Sequence, residues 1–239
     1  MLSSALIFAL AGAHAIQPPG SFHEGEAVAR HGERWLALRV RGGAAQLEMT
    51  RLRVKPVFDE LVDAEGDTTG SEVASDDDTD VLTYLRGSGL HAGKVVQAQI
   101  EGQDALVPNE ARLLAKTLQM GGRRYRIDTE CRAASTRAAE PGLLFFDCSI
   151  QLIEGERTQT LMRMSGTRSE RIADGRMMLG DDATPALMFA GDLDRDGKLD
   201  LIINTTDHYN LTRPVLFLSA AAEGDELLHA VAEHRAVGC

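Results

Sequence analysis

The sequence predicts a mainly β protein, with antiparallel hairpins forming a sandwich or partial barrel and at most one or two short helices. Three observations carry that prediction. Apolar and polar residues alternate over runs of roughly four to eight residues at many places along the chain. Twenty-three glycines and seven prolines, helped by Asp and Asn, punctuate those runs at short intervals. Only one stretch, after Asn109, sets apolar residues at helical spacing.

Taken in order, Ile16 to Gly32 is rich in Gly, Pro and charge and reads as an entry loop. Trp35 to Val40 alternates as a half-buried strand, with Leu36, Leu38 and Val40 on the inner face. Gly42-Gly43 turns it into a partner in which Ala45, Leu47 and Met49 point inward. The phase then shifts so that Leu52 and Val54 are inside, as at a β-bulge or a strand end. Pro56 to Val62 and Val81 to Leu85 are further short elements, and in Val95 to Ile100 the residues Val96, Ala98 and Ile100 share a side. Asn109 is placed to cap a helix carrying Ala111, Leu114 and Leu118. Tyr125, Ile127, Thr129 and Cys131 then alternate, as do Leu144, Phe146, Cys148, Ile150 and Leu152, which predicts a hairpin with both cysteines on its buried phase. Thr158 to Met164, Met177 to Leu179, Ala186 to Ala190, Leu199 to Ile203, Pro214 to Ser219 and Leu227 to Val231 complete the apolar runs.

Composition bounds what such a fold does. At 239 residues, 44% hydrophobic and 26% charged, the chain can bury a sizeable core. A net charge of −11 leaves no basic surplus for phosphates, which argues against nucleic acid as a partner. The acidity is local. Residues 59–80 hold ten acids and no Lys or Arg, and removing those ten leaves 26 acids against 25 bases. The segment reads as a long, solvated, mobile acidic loop.

The first fifteen residues carry no charged side chain. Leu6 to Gly12 is apolar and Ala13-His14-Ala15 has the small-x-small form of a signal-peptidase site, so 1–15 is read as a signal peptide. No later run reaches ~18 apolar residues, so the mature chain is expected to have no transmembrane segment and to be periplasmic or secreted. Residues 16–180 then form a β-rich region containing the acidic loop, and 181–239 a C-terminal region. The three cysteines, Cys131, Cys148 and Cys239, suit an oxidising compartment. With a hairpin loop at 133–142, Cys131 falls opposite Leu144, which weakens a Cys131–Cys148 bond and leaves both pairings with Cys239 open.

The most specific chemistry lies in the C-terminal region. Asp192, Asp194, Asp196 and Asp200 crowd into nine residues, with Gly197 between them. A hard cation such as Ca²⁺ takes six to eight oxygen ligands, and positions 1, 3 and 5 of a tight loop can turn three carboxylates to one centre. Gly197, at position 6, suits the sharp turn. Lys198 would give its backbone carbonyl and leave its ammonium in solvent, and Asp200 closes the set. Position 12, where a helix-flanked calcium loop carries Glu, is Ile203, and the flanks Leu187-Met188-Phe189 and Leu199-Asp200-Leu201-Ile202-Ile203 look like strands, so the loop is expected at a hairpin tip. Asp76, Asp77, Asp78 and Asp80 are candidates for a second ion, although three consecutive aspartates cannot all face one centre.

Phe189-Ala190-Gly191-Asp192-Leu193-Asp194-Arg195-Asp196-Gly197-Lys198-Leu199-Asp200-Leu201 resembles the calcium hairpin of FG-GAP and VCBS-type repeats, here in a single copy. The resemblance implies Asp192, Asp194, Asp196 and Asp200 as side-chain ligands, the Lys198 carbonyl as a further ligand, and calcium as the ion. The resulting expectation is an exported calcium-binding protein, not an enzyme, in which the ion stabilises a β-hairpin. A calcium-dependent hydrolase of an envelope polymer and a calcium-dependent adhesion module are the alternatives. Neither G-x-S-x-G nor H-E-x-x-H occurs, and His208, His229 and His234 read as surface or internally satisfied histidines.

Overall fold

The computed structural model describes residues 14–101, 116–134, 142–169, 177–183 and 185–238. Among them there is no helix, and the strands pair antiparallel throughout. In the first part of the chain β1 (Ala15–Gln17), β2 (Gly20–Phe22), β3 (Arg34–Arg41), β4 (Ala44–Arg51) and β5 (Arg53–Val57) are followed by β6 (Gly70–Ala74), β7 (Val81–Arg86) and β8 (Gly93–Gln97). The middle holds β9 (Gln99–Glu101), β10 (Lys116–Met120), β11 (Arg123–Ala133), β12 (Leu143–Glu154), β13 (Arg157–Ser169) and β14 (Met177–Leu179). The last part holds β15 (Ala186–Asp192), β16 (Asp200–Asn204), β17 (Leu211–Thr212), β18 (Pro214–Leu218), β19 (His229–Glu233) and β20 (Ala236–Val237).

Nine strands in the order β1-β7-β3-β4-β8-β15-β16-β18-β19 form one sheet. Its end strands β1 and β19 come into contact, so the sheet curls into a nearly closed barrel drawing strands from both ends of the chain. The middle strands form a half-barrel, β14-β13-β12-β11-β10-β9. The chain leaves the barrel at Ala98, whose N–H donates to the Ala190 carbonyl at 3.0 Å. A three-stranded sheet, β2-β6-β5, and a small β17-β20 pair complete the fold. No helix among the described residues is long and apolar enough to cross a membrane.

Three apolar cores hold these layers together. Leu36, Leu38, Leu47, Leu85, Phe189, Ile202 and Leu216 fill the barrel. Leu118, Tyr125, Ile127, Ile150 and Leu152 of the half-barrel pack against Leu201, Ile203, Val215 and Phe217 on the barrel's outer face. Trp35, Ala37, Leu52, Val73 and Tyr84 lie in a third cluster, with Val54 and Phe22 packed against it. β16 is therefore buried on both faces, Ile202 to one side and Leu201 and Ile203 to the other, which is why its sequence is apolar without alternation. The same holds for β3, expected to be half-buried: Trp35 and Ala37 on its outer phase are covered as fully as Leu36 and Leu38.

Other expectations need correction. β1 begins at Ala15, the last residue of the expected leader, which pairs with Arg86, and continues into the entry segment, where Ile16 is fully buried and β2 follows. The phase shift after Thr50 is a strand end, because the chain passes from β4 of the barrel into β5 of the small sheet. Val95 points into the barrel while Val96 and Ile100 are exposed, so of the three residues expected to share a side only Ala98 is buried, in the core beneath the half-barrel. The predicted helix lies mostly outside the described residues, but its described end, Lys116–Met120, is a strand with Leu118 in the core. The hairpin that Gly121-Gly122 closes onto β11 there outweighs helical spacing. β13 runs on to Ser169, past the end of the Thr158 to Met164 run.

The 59–80 segment is also not one loop, for β6 runs through it and pairs with both β2 and β5. Finally, Cys131 and Cys148 are bonded. The register pairs Cys131 with Cys148 and Ala133 with Phe146, four residues away from the assumed register. A shift by an even number keeps every side chain on its predicted face and brings the two sulfurs together.

Candidate metal centre

The hairpin of β15 and β16 ends in the aspartate loop. Asp192 is the last residue of β15 and Asp200 the first of β16, so the flanking strands fix both ends. Gly191 pairs with Asp200 across the hairpin, and β18 lies on the far side of β16. Between them the backbone takes two left-handed residues, Arg195 at φ 67° and Gly197 at φ 82°. Gly197 sits there without steric cost, as its place in the motif demands. Arg195 is costlier, and its guanidinium is tied to the His91 and Ala92 carbonyls at 3.2 and 2.8 Å.

Carboxylates organise the loop by accepting backbone N–H groups. Asp192 Oδ2 accepts from Gly197 N–H at 3.0 Å, Asp194 Oδ1 from Asp196 N–H at 3.2 Å, and Asp196 Oδ1 from Lys198 N–H at 2.8 Å. Asp200, with no exposed surface, accepts from Leu193 N–H at 2.7 Å through Oδ2. Its Oδ1 accepts from Ser219 N–H at 2.8 Å and from Ser219 Oγ at 3.1 Å.

Asp192, Asp194 and Asp200 each turn a carboxylate oxygen to a common centre, all within 4.8 Å of one another. Among the described residues they form the one such group of potential metal ligands. Asp192 Oδ1 and Asp194 Oδ2 are buried and have no hydrogen-bond partner. Burial pushes the Asp200 carboxyl up to about 7, against the opposing Ser219 and Leu193 N–H bonds and with the Asp194 charge adding to it. Burial also raises Asp194, with the charges of Asp196 and Asp192 contributing. A centre that disfavours its own negative charge in this way is one that a cation would relieve.

The other two predicted residues stand beside this group. Asp196 is bonded by Ser219 Oγ at 3.0 Å, and its Oδ2 lies 3.3 Å from Lys198 Nζ. The Lys198 ammonium, expected in solvent, thus folds back onto Asp196. Sequence reasoning missed Ser219, which holds two of the aspartates. It lies nineteen residues beyond Asp200 with no local signal, and only the β16–β18 register, with Leu201 opposite Phe217, brings it there. It also missed Gly121 of the β10–β11 turn, where a Cβ would stand 2.7 Å from the Gly197 carbonyl oxygen. The half-barrel thus comes close to the loop at the Gly121 backbone, and Leu199 of the loop lies in the core that the half-barrel shares.

The acidic segment does not gather a second centre. Asp76 faces Arg53, Asp77 faces Arg39 and Arg41, Asp80 pairs with Arg41 at 2.7 Å, and Asp78 accepts from Ser75 and Tyr84. Basic residues of β3 and β5 thus divide the aspartates among themselves. Elsewhere, Asp59 is buried and its Oδ2 lies 2.5 Å from His23 Nδ1. His208 pairs with Asp181 at 3.1 Å and His229 with Glu226 at 2.9 Å. His234 is buried, and neither ring nitrogen is hydrogen-bonded, unlike the satisfied histidine expected.

Comparison of the chain with protein-family models, with curated proteins and with solved structures gave no match in any of the three. The functional reading therefore stands on the geometry and the motif.

Proposed function

We propose that this is an exported β protein that binds calcium at Asp192, Asp194 and Asp200, the ion fixing the tip of the β15–β16 hairpin. The observation that carries the reading is the pair of buried, unpartnered carboxylate oxygens, Asp192 Oδ1 and Asp194 Oδ2, beside Asp200. A buried acceptor left unsatisfied costs about 1–3 kcal/mol, and more when it is charged. An all-oxygen donor set suits a hard cation. The D-x-D-x-D-G-x-x-D spacing, and its likeness to FG-GAP and VCBS-type hairpins, favour calcium and add Asp196 and the Lys198 carbonyl as further ligands. Export is argued from the 1–15 leader pattern and from the Cys131–Cys148 bond, which suits an oxidising compartment.

The hydrolase alternative asks for an ionisable pair beside a cavity away from the loop, and His23–Asp59 has that form. Asp59 also accepts the Leu61 N–H at 3.1 Å, so the pair has a structural task in holding the 58–63 turn, and the binding reading stands first. The test is calorimetric titration of EDTA-stripped protein with Ca²⁺ and with Mg²⁺. One Ca²⁺ site with Kd of about 10⁻³ M or tighter, weaker Mg²⁺ binding, and no Ca²⁺ heat for Asp194→Ala are expected. Absence of binding up to the solubility limit of the protein and salt would end the proposal.

A further inference from the structure

The segment joining β5 to β6, residues 58–69, is an ordered loop with an unusual surface. Asp63 closes it from within. Its Oδ2 accepts Asp59 N–H at 2.8 Å and Thr69 N–H at 2.9 Å, while Thr69 Oγ donates to Oδ1 at 2.5 Å. Asp59 adds a second tie, accepting Leu61 N–H and pairing with His23 of the segment after β2. Five hydrogen bonds to two carboxylates therefore fix a stretch that composition alone marks as solvated and mobile.

What that framework displays is apolar. Phe58, Leu61 and Val62 are 51%, 62% and 68% exposed, and Val237 near the chain's end is 44% exposed. Exposed large apolar side chains are ordinary when scattered, but three within five residues on a rigid loop form a patch. Beside them a cavity of about 310 Å³ opens between the loop and the Val237-Gly238 segment, with Phe22, Val57, Phe58 and Val237 as apolar walls. Its size suits one bulky apolar side chain. The charged residues of the loop itself, Asp59, Glu60, Asp63, Glu65 and Asp67, are all acidic, and no Lys or Arg occurs from 59 to 80. Glu60 also lines the cavity.

We infer that the 58–69 loop is a docking surface for a basic, apolar-anchored segment of a partner protein. Its occupant would seat a Phe- or Leu-sized side chain in the cavity and set flanking lysines or arginines against Glu60, Glu65 and Asp67. Charge complementarity selects this occupant. An anionic lipid surface would be repelled by the same acids, and a second copy of this loop would bring like charges together. Loop pre-ordering favours binding, because little conformational entropy remains to be lost. The inference is independent of the calcium site, which no residue of this loop enters.

The probe is a fluorescent six-residue peptide with two lysines on each side of Phe-Leu, and a control in which Ser-Ser replaces Phe-Leu at equal charge. Anisotropy at low ionic strength should show the Phe-Leu peptide binding at least tenfold more tightly than the control. The Phe58→Ser/Leu61→Ser double variant, which removes one exposed wall of the cavity and one exposed side chain beside it and no charge, should bring the two peptides to the same affinity. Raising NaCl from 50 to 500 mM should weaken the wild-type complex several-fold. Equal affinity of both peptides for wild type overturns the inference, as does unchanged binding by the double variant. Concentration-dependent dimerisation that the double variant abolishes would also overturn it, since the occupant would then be a second copy.

Discussion

Removal of divalent cations should cost this protein several degrees of thermal stability, and the size of the effect can be worked from the aspartate loop. Asp192, Asp194 and Asp200 bring ligand oxygens within 4.8 Å of one another. At an effective dielectric of about 20, each pair of full charges at that distance repels by roughly 3.5 kcal/mol. Three such pairs approach the whole stability of an ordinary domain, so the cation-free loop avoids full ionisation. Asp200, raised to about 7, is the group that keeps a proton. Its folded pKa lies above its unfolded one, so its favourable contribution is complete below about pH 4 and is lost as pH rises through 7. Cation-free protein should therefore weaken between pH 6 and 8, and calcium should restore it.

With Kd between about 10⁻⁴ and 10⁻³ M, 10 mM Ca²⁺ contributes about 1.4–2.7 kcal/mol by mass action. For a chain of this size that is a rise in midpoint of roughly 3–11 °C. Differential scanning calorimetry with 10 mM CaCl₂ against excess EDTA, at pH 6 and 8, reads all of these quantities. Titration calorimetry at pH 6 in buffers of different ionisation heat should in addition show close to one proton released per ion bound. Equal midpoints with and without calcium, or a shift that survives in Asp194→Ala, would refute the reasoning.

Other expectations follow from single contacts. Ser219→Ala removes the hydroxyl bonds to Asp196 and Asp200 but keeps the Ser219 N–H bond, so urea unfolding in EDTA should show a loss of about 1 kcal/mol. Replacing Cys131 and Cys148 together by Ala opens a cross-link spanning 17 residues and should lower stability by about 3 kcal/mol, also read by urea unfolding. The bond from Asp59 raises His23, with Glu26 adding to it, and the same bond lowers Asp59, with Asp63 opposing. The His23 contribution is present below about pH 6.5 and lost above its raised value, and the Asp59 contribution is lost only well into acid. The clamp on the 58–63 turn should thus hold best from about pH 4 to 6.5. Hydrogen exchange at the Leu61 amide, referenced to His23→Gln, should lose its extra protection as pH rises through the raised His23 value, and protection independent of pH would contradict the clamp.

Much of the fold was legible because β-structure leaves a period of two in the sequence. The Trp35–Arg51 hairpin and the Tyr125–Leu152 pairing follow from it, while the aspartate-tipped hairpin follows from the aspartate spacing between two apolar runs. The reading failed where a second layer changes what burial means. Trp35 and Ala37 look like an outer face until the three-stranded sheet covers them, and Val95 and Val96 exchange roles because the barrel wall decides which side is interior. Leu118 was assigned to a helix because local spacing cannot see its pairing with Tyr125. The loop length between Cys131 and Cys148 cannot be counted from a polar run, so the register, and with it the disulfide, stayed open.

The candidate site divides in the same way. By itself the sequence determined that four aspartates and a glycine share one tight loop at a hairpin tip, since that depends on spacing alone. Only the tertiary structure decided that Asp192, Asp194 and Asp200 face one centre while Asp196 turns to Lys198, and that Ser219, just after β18 and nineteen residues on, supports Asp200. It likewise decided that Asp76, Asp77 and Asp80 are drawn apart by arginines of neighbouring strands, and that Asp59 and Asp63 order a loop that composition marks as mobile. Spacing records which residues can meet along the chain, whereas burial, and the partners that long-range pairing brings, fix which carboxylate oxygens are left without a partner.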